Sequence, residues 1–200
     1  MKLYILRHED RVIDCSFFAP LTEKGIVNSS ELKKVLEDEN INVIYSSPFK
    51  RTLQTIFPYA KHSKNRINIE YGLSEIHHQD IIPRRAVGME LPNYLFKSYN
   101  GNKEYKSSIN HDEIEYPEDF NSVKSRMKKV VGEVFKKHFK TNDNVILVTH
   151  QSLCNAALQL VNENSQEFKG KISEDTYNNY EKGKVSLIYE NRDWVYKGIN

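Results

Sequence analysis

The 200-residue sequence predicts an α/β fold built on a doubly wound, mostly parallel sheet. One observation is that short apolar strands alternate with helical patterns. A second is that Val145–Thr149 forms a continuous β-branched run, as expected for a central strand buried on both faces. A third is that charged or imidazole side chains follow directly after several strands. Because ligands bind outside the carboxyl ends of such strands, a functional site is expected at that edge.

Length and composition fit one globular domain over residues 1–200, with a small excursion or cap at about 77–118. A formal net charge of +2 gives no reason to expect a nucleic-acid or membrane partner. Cys15 and Cys154 lack the spacing of a zinc site or a redox pair, which suits a reducing compartment. The chain has no apolar signal region and no apolar run that could span a bilayer, so a cytoplasmic location is expected.

The first strand, Lys2–Leu6, delivers Arg7 and His8 at its carboxyl end. A cation beside an imidazole at this place forms a natural anion-binding, nucleophilic pair. Taken alone, the two residues are equally consistent with a plain strand cap.

The next predicted element is a helix capped by Thr22, with apolar residues that lie roughly on one face. These apolar residues are Ile26, Leu32, Val35 and Leu36.

A short strand at Asn42–Tyr45 precedes a strong helix-start signal, with Ser47 as N-cap and Pro48 at the first helical position. This helix carries Arg51 in its first turns, and Pro58 is expected to end or kink it. The strand that follows, Ile67–Tyr71, leads into Glu75.

After the excursion, the helical period returns with an apolar stripe from Phe120 to Val134 against a lysine-rich face. That face is interpreted as solvated, because it follows directly from amphipathicity. The central strand ends at His150, and Ser152–Val161 continues as a helix. A polar stretch at 162–184 leads to a final hairpin of Val185–Glu190 and Trp194–Lys197, turning at Asn191–Asp193.

A doubly wound sheet would gather the strand-end residues on one edge. Two arginines can fork around the oxygens of a phosphoryl group. One imidazole can attack phosphorus while the other donates a hydrogen bond to the charge that develops. Glu75 can protonate the leaving oxygen. The residues gathered in this way are Arg7, His8, Arg51, Glu75 and His150.

Several segments, in order along the chain, resemble the histidine phosphatase superfamily, the phosphoglycerate mutase-like group. They are Leu6–His8, Leu21–Gly25, Ser46–Thr55, Leu73–Ile76 and Val148–His150, and Gly183–Leu187 with Trp194 is similar to the family's ending. The resemblance covers most of the chain except residues 77–118. It implies a three-layer α/β/α sandwich and phosphoryl transfer through a phosphohistidine, with no metal and no other cofactor.

Carried over to this sequence, the resemblance implies that His8 is the nucleophile and Glu75 the proton donor. It assigns the phosphate pocket to Arg7, Arg51 and His150. Gln151 stands where the family commonly has glycine, and a backbone amide donor at that position tolerates the change.

The loop after His8 departs from the family pattern, because Glu9 replaces the usual small glycine and no clear counterpart of a common asparagine follows. A carboxylate beside a phosphate pocket would repel substrate unless it points away or pairs with a base such as Arg11. We expect Glu9 to point away.

Other assignments stay open at this point. Glu9, Asp10 or a residue of the excursion could donate the proton instead of Glu75. The pair His77–His78 has Asp80 nearby but no third histidine at ligand spacing, so a loop role is expected rather than a metal site. Basic residues of the excursion could bind a second anionic group or simply be solvated, namely Arg84, Arg85 and Lys97.

Hydrolysis of a phosphomonoester, either a small phosphorylated metabolite or a phosphoprotein, is the leading functional hypothesis. The alternatives are mutase or bisphosphatase phosphotransfer and a catalytically silent binding module of the same fold. Oligomeric state has no signature in the sequence.

Overall fold

The computed structural model describes residues 1–164, 182–183, 185–190 and 193–199. Its strands are β1 (Lys2–Arg7), β2 (Val43–Ser46), β3 (Ile67–Ile69), β4 (Asn144–Thr149), β5 (Val185–Glu190) and β6 (Asp193–Ile199). Its α-helices are α1 (Glu23–Asp38), α2 (Lys50–Ser63), α3 (Asn93–Ser98), α4 (Phe120–His138) and α5 (Gln151–Asn164). Two short 3₁₀ helices span Tyr71–Leu73 and Arg84–Ala86.

The strands form one sheet in the order β3-β2-β4-β1-β5-β6. The first four strands in this order pair in parallel, and β5 and β6 continue the sheet antiparallel beside β1. β4 therefore lies between β2 and β1, as its continuous apolar run predicts. The α/β fold with a mostly parallel sheet is confirmed.

Helices cover both faces of the sheet and make three layers. Leu3 and Leu147 point to the face that α4 and α5 cover, whereas Leu6 and Val148 belong to the second apolar cluster, beneath α1 and α2. Alternate side chains of β1 and β4 thus pack into the cores on opposite faces of the sheet, which is why both strands are largely apolar. Among the described residues, no helix has the length and apolarity needed to cross a membrane.

Helix α1 begins as predicted, because the Thr22 hydroxyl accepts a hydrogen bond from the Gly25 N–H at 3.0 Å. Leu32 and Leu36 are buried, but Ile26 is 49% exposed. The placement of Ile26 on the core face is therefore wrong. Gly25, one residue before it, takes the buried position, where an added Cβ would lie 2.2 Å from the carbonyl oxygen of Asp10.

The start of helix α2 differs from the prediction. Phe49 stands at the N-cap position in extended conformation, and the helix begins at Lys50 rather than at Pro48. The Ser47 hydroxyl accepts a long hydrogen bond from the Phe49 N–H at 3.4 Å and also lies 2.8 Å from His150 Nε2, so it joins the helix start to the end of β4. Pro58 does not end the helix, which continues to Ser63.

Residues 77–118, the predicted excursion, contain no strand and only a 3₁₀ turn and α3 as regular structure. They pack over both cores, with Ile82 and Leu91 in one cluster and Ile109 and Ile114 in the other. The final hairpin is present as β5 and β6. Most of the polar stretch at 162–184, and Asn191 and Arg192 of the hairpin turn, lie outside the described residues.

Candidate active site

The strand ends bring the predicted residues to one edge of the sheet. His8 follows β1, His150 follows β4, and Arg51 stands in the first turn of α2, directly after β2. The rings of His8 and His150 are 5.2 Å apart, edge to face. Both histidines and Arg51 are almost fully buried.

Local hydrogen bonding fixes the form of His8. The Glu9 carbonyl can only accept, so His8 Nδ1–H donates to it at 2.7 Å. Burial lowers the pKa of His8 well below 6.5, and the charge of Arg51 lowers this pKa further. His8 is therefore neutral at pH 7, with its proton on Nδ1 and an unprotonated Nε2. A neutral imidazole of this tautomer is the nucleophilic form.

His150 is held by Ser47, whose hydroxyl lies 2.8 Å from His150 Nε2. Burial lowers the pKa of His150 well below its ordinary value, and Arg51 and His8 add to this effect. Its Nδ1 is buried and has no hydrogen-bond partner among the described residues, although Glu75 Oε2 lies 3.6 Å away. If Ser47 donates to Nε2, then Nδ1 carries the proton and is available to a ligand.

Arg51 supplies a buried positive charge. Its Nη1 donates to the Ser16 carbonyl at 3.1 Å, while its Nε is buried without a partner in the described part of the chain. Burial lowers the pKa of Arg51 to about 10, and the Glu75 carboxylate opposes the shift. The group thus remains charged at neutral pH. Burial also lowers the pKa of Arg7, and interactions with Cys154 and Glu75 partly oppose this shift. The Glu75 carboxylate therefore interacts electrostatically with Arg7 as well as with Arg51.

Glu75 follows the 3₁₀ turn after β3 and is 8% exposed. Ser152 donates its hydroxyl proton to Glu75 Oε1, and the Ile76 N–H donates to the same oxygen at 3.1 Å. The second oxygen, Oε2, faces His150. This arrangement leaves one carboxyl oxygen of Glu75 on the side of the two histidines.

Glu9 does not pair with Arg11 within the described structure. Glu9 Oε2 accepts a hydrogen bond from the Asn28 side chain of α1 at 3.1 Å, and its Oε1 lies where a Cβ on Gly183 would stand. Arg11 donates to the carbonyls of Val12 and Asp14. The carboxylate is therefore directed to α1 and to the segment before β5, while only the backbone carbonyl of Glu9 serves His8.

The other residues considered as proton donors or ligands make contacts of their own or lie at the surface. Asp10 forms a 2.5 Å ion pair with Lys182, which reduces its suitability as a proton donor. His77 is buried, and burial followed by the charge of Arg126 lowers its pKa to about 4. The described residues contain no group of three or more His, Cys, Asp or Glu side chains arranged to hold a metal. Arg84 and Arg85 are exposed.

Gln151 opens helix α5 directly after His150. Its side-chain amide donates to Asn155 at 2.7 Å. Its backbone N–H stands in the first turn of the helix, whose positive end favours an anion.

The sequence did not reveal the roles of Ser47 and Ser152. The sequence predicts a cap at Ser47 and a helix that begins at Ser152. Their positions in the sequence are the signal that could have indicated these roles, since each serine lies within two residues of a strand end or of His150. Which side chain a serine hydroxyl bonds is decided by tertiary contact, which local spacing does not report.

Comparison with known proteins identifies the family of this chain. A family model of the histidine phosphatase superfamily (branch 1) matches residues 14–181, so the sequence resemblance is confirmed. Because the match begins at residue 14, Arg7 and His8 lie outside it, and their assignment depends on the arrangement described above.

Among curated proteins, phosphoserine phosphatase 1 of Hydrogenobacter thermophilus is 29% identical over 130 residues, which make up 65% of this chain. The alignment spans 58% of that relative's length.

Solved structures with similar folds cover nearly the whole chain. Bacillus stearothermophilus YhfR superposes with a TM-score of 0.66 at 20% identity, covering 98% of this chain and 95% of its own. The α-ribazole phosphatase of Shigella flexneri gives 0.64 at 15% identity, with 100% and 96% coverage. A phosphoserine phosphatase from Entamoeba histolytica, solved with phosphoserine, gives 0.60 at 16% identity, with 100% and 96% coverage. At these identities the likeness is one of fold.

Proposed function

The chain belongs to the histidine phosphatase superfamily (branch 1), and from this premise we propose that it hydrolyses phosphomonoesters through a phosphohistidine on His8. The observation that carries the proposal is the fixed tautomer of His8. Its Nδ1–H is bonded to the Glu9 carbonyl, so its Nε2 lone pair is free to attack. Two buried nitrogen atoms beside it, Arg51 Nε and His150 Nδ1, have no hydrogen-bond partner among the described residues.

A phosphoryl group supplies what these donors need. Arg51 and Arg7 neutralise its oxygens, with the Gln151 amide as a further donor, and His150 Nδ1–H donates to the charge that develops in the transition state. Leaving a buried donor unpaired costs about 1–3 kcal/mol, so an oxyanion that accepts from these groups gains a comparable free energy on binding. These cations provide charge stabilisation from the protein alone, and we propose that no metal takes part.

In the first step His8 Nε2 forms a bond to phosphorus as the ester P–O bond breaks. Glu75 gives its proton to the leaving oxygen, which departs as an alcohol. The positive charge on the phosphorylated ring is stabilised by the bond from Nδ1–H to the Glu9 carbonyl. In the second step water attacks phosphorus, Glu75 takes a proton from that water, and the P–N bond breaks to release phosphate and neutral His8.

Substrates of the proposed reaction are small phosphorylated metabolites or phosphoproteins. The name of the curated relative makes L-phosphoserine a useful member of a test panel. The unusual Glu9 does not argue against turnover, because its carbonyl performs the required task and its carboxylate is held by Asn28.

The proposal is tested with p-nitrophenyl phosphate and a panel of phosphometabolites, in buffer containing EDTA, for the wild type and for His8→Ala. We expect release of inorganic phosphate from the wild type and no release above background from the variant. Phosphate transferred between positions of a metabolite without release into solution would instead indicate mutase chemistry. Equal rates for both proteins, or binding without turnover, would contradict the proposal.

A further inference from the structure

The segment that carries Glu75 needs support from outside itself. Residues 74–78 belong to no helix or strand, and the Glu75 carboxyl is hydrogen-bonded through Oε1 by the Ser152 hydroxyl and the Ile76 N–H. A misplacement of about 1 Å at a reacting group can cost about a hundredfold in rate. A proton donor on irregular backbone therefore requires a rigid support.

Arg126 of helix α4 provides one side of such a support. Its Nη1 donates to the carbonyl oxygens of Gly72 and Ser74, at 2.8 Å each. Its Nε and Nη2 donate to the two carboxylate oxygens of Glu118, at 2.8 and 2.7 Å. The guanidinium is thus bonded on three of its nitrogens and is only 6% exposed.

Glu118, just before α4, provides the other side. Its carboxylate accepts the His77 N–H at 3.0 Å, and its own N–H donates to the His77 carbonyl at 2.8 Å. Glu118 is 2% exposed. The pair is therefore hydrogen-bonded to the backbone on both sides of Glu75, at Ser74 and at His77.

The energetics favour a role other than stability. A buried ion pair often contributes little net stability, because the cost of removing two charges from water offsets their attraction. Here most of the hydrogen bonds of the pair are made to the backbone of residues 72–77. That segment holds the residue to which the proposed function assigns proton transfer.

We propose that the Glu118–Arg126 pair is a positioning device that sets the Glu75 carboxyl at the leaving oxygen. This inference rests on the proposed function of Glu75. It predicts that disturbing the pair removes proton donation selectively, while phosphate binding and attack by His8 remain. Lysine at position 126 cannot replace the planar fork, because an ammonium cannot bond two carbonyls and both oxygens of a carboxylate with the same geometry.

The test compares two substrates that differ in their need for a proton. The p-nitrophenolate of p-nitrophenyl phosphate leaves as an anion, whereas the alkoxide of L-phosphoserine must be protonated. Both kcat and KM are measured for Arg126→Lys and Glu118→Gln, with Val134→Ala as the matched control. Val134 is a buried residue of the same helix, and its truncation lowers stability by leaving a cavity in the core.

We expect the ratio of kcat/KM for phosphoserine to kcat/KM for p-nitrophenyl phosphate to fall at least about tenfold in both variants, since general acid catalysis is worth about 10²–10⁴-fold. The ratio of kcat/KM values is used because it reports only the first step, whereas kcat also includes the second step, in which Glu75 acts on water whichever substrate was used. Val134→Ala should keep the wild-type ratio. Equal losses of kcat/KM on both substrates, or the same change in Val134→Ala, would overturn the inference. Glu118→Asp, which retains the charge and shortens the reach, is measured in the same way if either variant fails to fold.

Glu75→Gln separates this inference from the proposed function. If Glu75→Gln leaves the ratio unchanged, Glu75 is not the proton donor and the proposed function fails at that residue. If Glu75→Gln lowers the ratio but the variants at positions 118 and 126 do not, only the positioning role is wrong.

Discussion

Glu9 and Gly183 are packed so closely that they should behave as an energetically coupled pair. Gly183 has φ +64°, and a Cβ added there would lie 1.5 Å from Glu9 Oε1 and 2.2 Å from its carboxyl carbon. The Gly183 N–H also donates to the Arg7 carbonyl at 2.9 Å, which ties this contact to the end of β1. An alanine at position 183 therefore has to displace Glu9 from Asn28.

The size of the effect follows from two contributions. A left-handed backbone costs a residue with a Cβ about 1–2 kcal/mol. Overpacking against a buried side chain costs roughly a further 1–3 kcal/mol. Gly183→Ala should thus lower the free energy of unfolding by about 2–5 kcal/mol in the wild type but by only about 1–2 kcal/mol in Glu9→Ala. The coupling energy is the difference, about 1–3 kcal/mol.

Urea unfolding of the four proteins of this double-mutant cycle measures the coupling. Gly88→Ala is the control, because Gly88 has φ +63° and nothing nearer than 3.9 Å to an added Cβ. It should cost the backbone contribution alone and should not depend on Glu9. Additivity of Glu9→Ala and Gly183→Ala within about 0.5 kcal/mol would refute the assigned position of the Glu9 carboxylate.

Three further predictions concern the histidines. His150→Ala should lower kcat about a hundredfold, since it removes a donor to transition-state charge; steady-state kinetics at unchanged rate would contradict the role given to His150. Arg51→Gln should raise the pKa of His8 towards 6.5, because a nearby positive charge is lost, and an unchanged NMR titration of His8 would count against the geometry. The pKa of His77 is about 4 in the folded protein, so as the pH falls below about 6.5 the unfolded chain takes up a proton on His77 that the folded protein does not. The free energy of unfolding should therefore decrease with pH over this range, by up to about 1.4 kcal/mol per pH unit for this residue. Urea unfolding of His77→Leu should show a correspondingly weaker pH dependence, and an identical slope would exclude this source.

The sheet and the strand-end residues could be predicted from the sequence because they depend on local pattern. The apolar run of β4 requires burial on both faces, and parallel strands place His8 and His150 at one edge whatever the loops do. The family resemblance then gave each strand-end residue a role.

What the sequence could not provide depends on contacts between distant segments. Ser47 has a strong local preference to cap a helix, but its hydroxyl meets His150, which is 103 residues away. Arg126 reads as one more basic residue on an amphipathic helix, yet its guanidinium is buried against the backbone of Ser74. Helix periodicity places a side chain on a face and does not report what lies opposite that face.

The most direct test of the central claim is to trap the phosphorylated enzyme. The protein is mixed with p-nitrophenyl phosphate, quenched in alkali within the first turnover, digested, and mapped by mass spectrometry. The account predicts an acid-labile, alkali-stable phosphate on His8 in the wild type and none in His8→Ala, with p-nitrophenol released in a burst when hydrolysis of the intermediate is slow. Phosphate on another residue, or sustained turnover by His8→Ala, would contradict it.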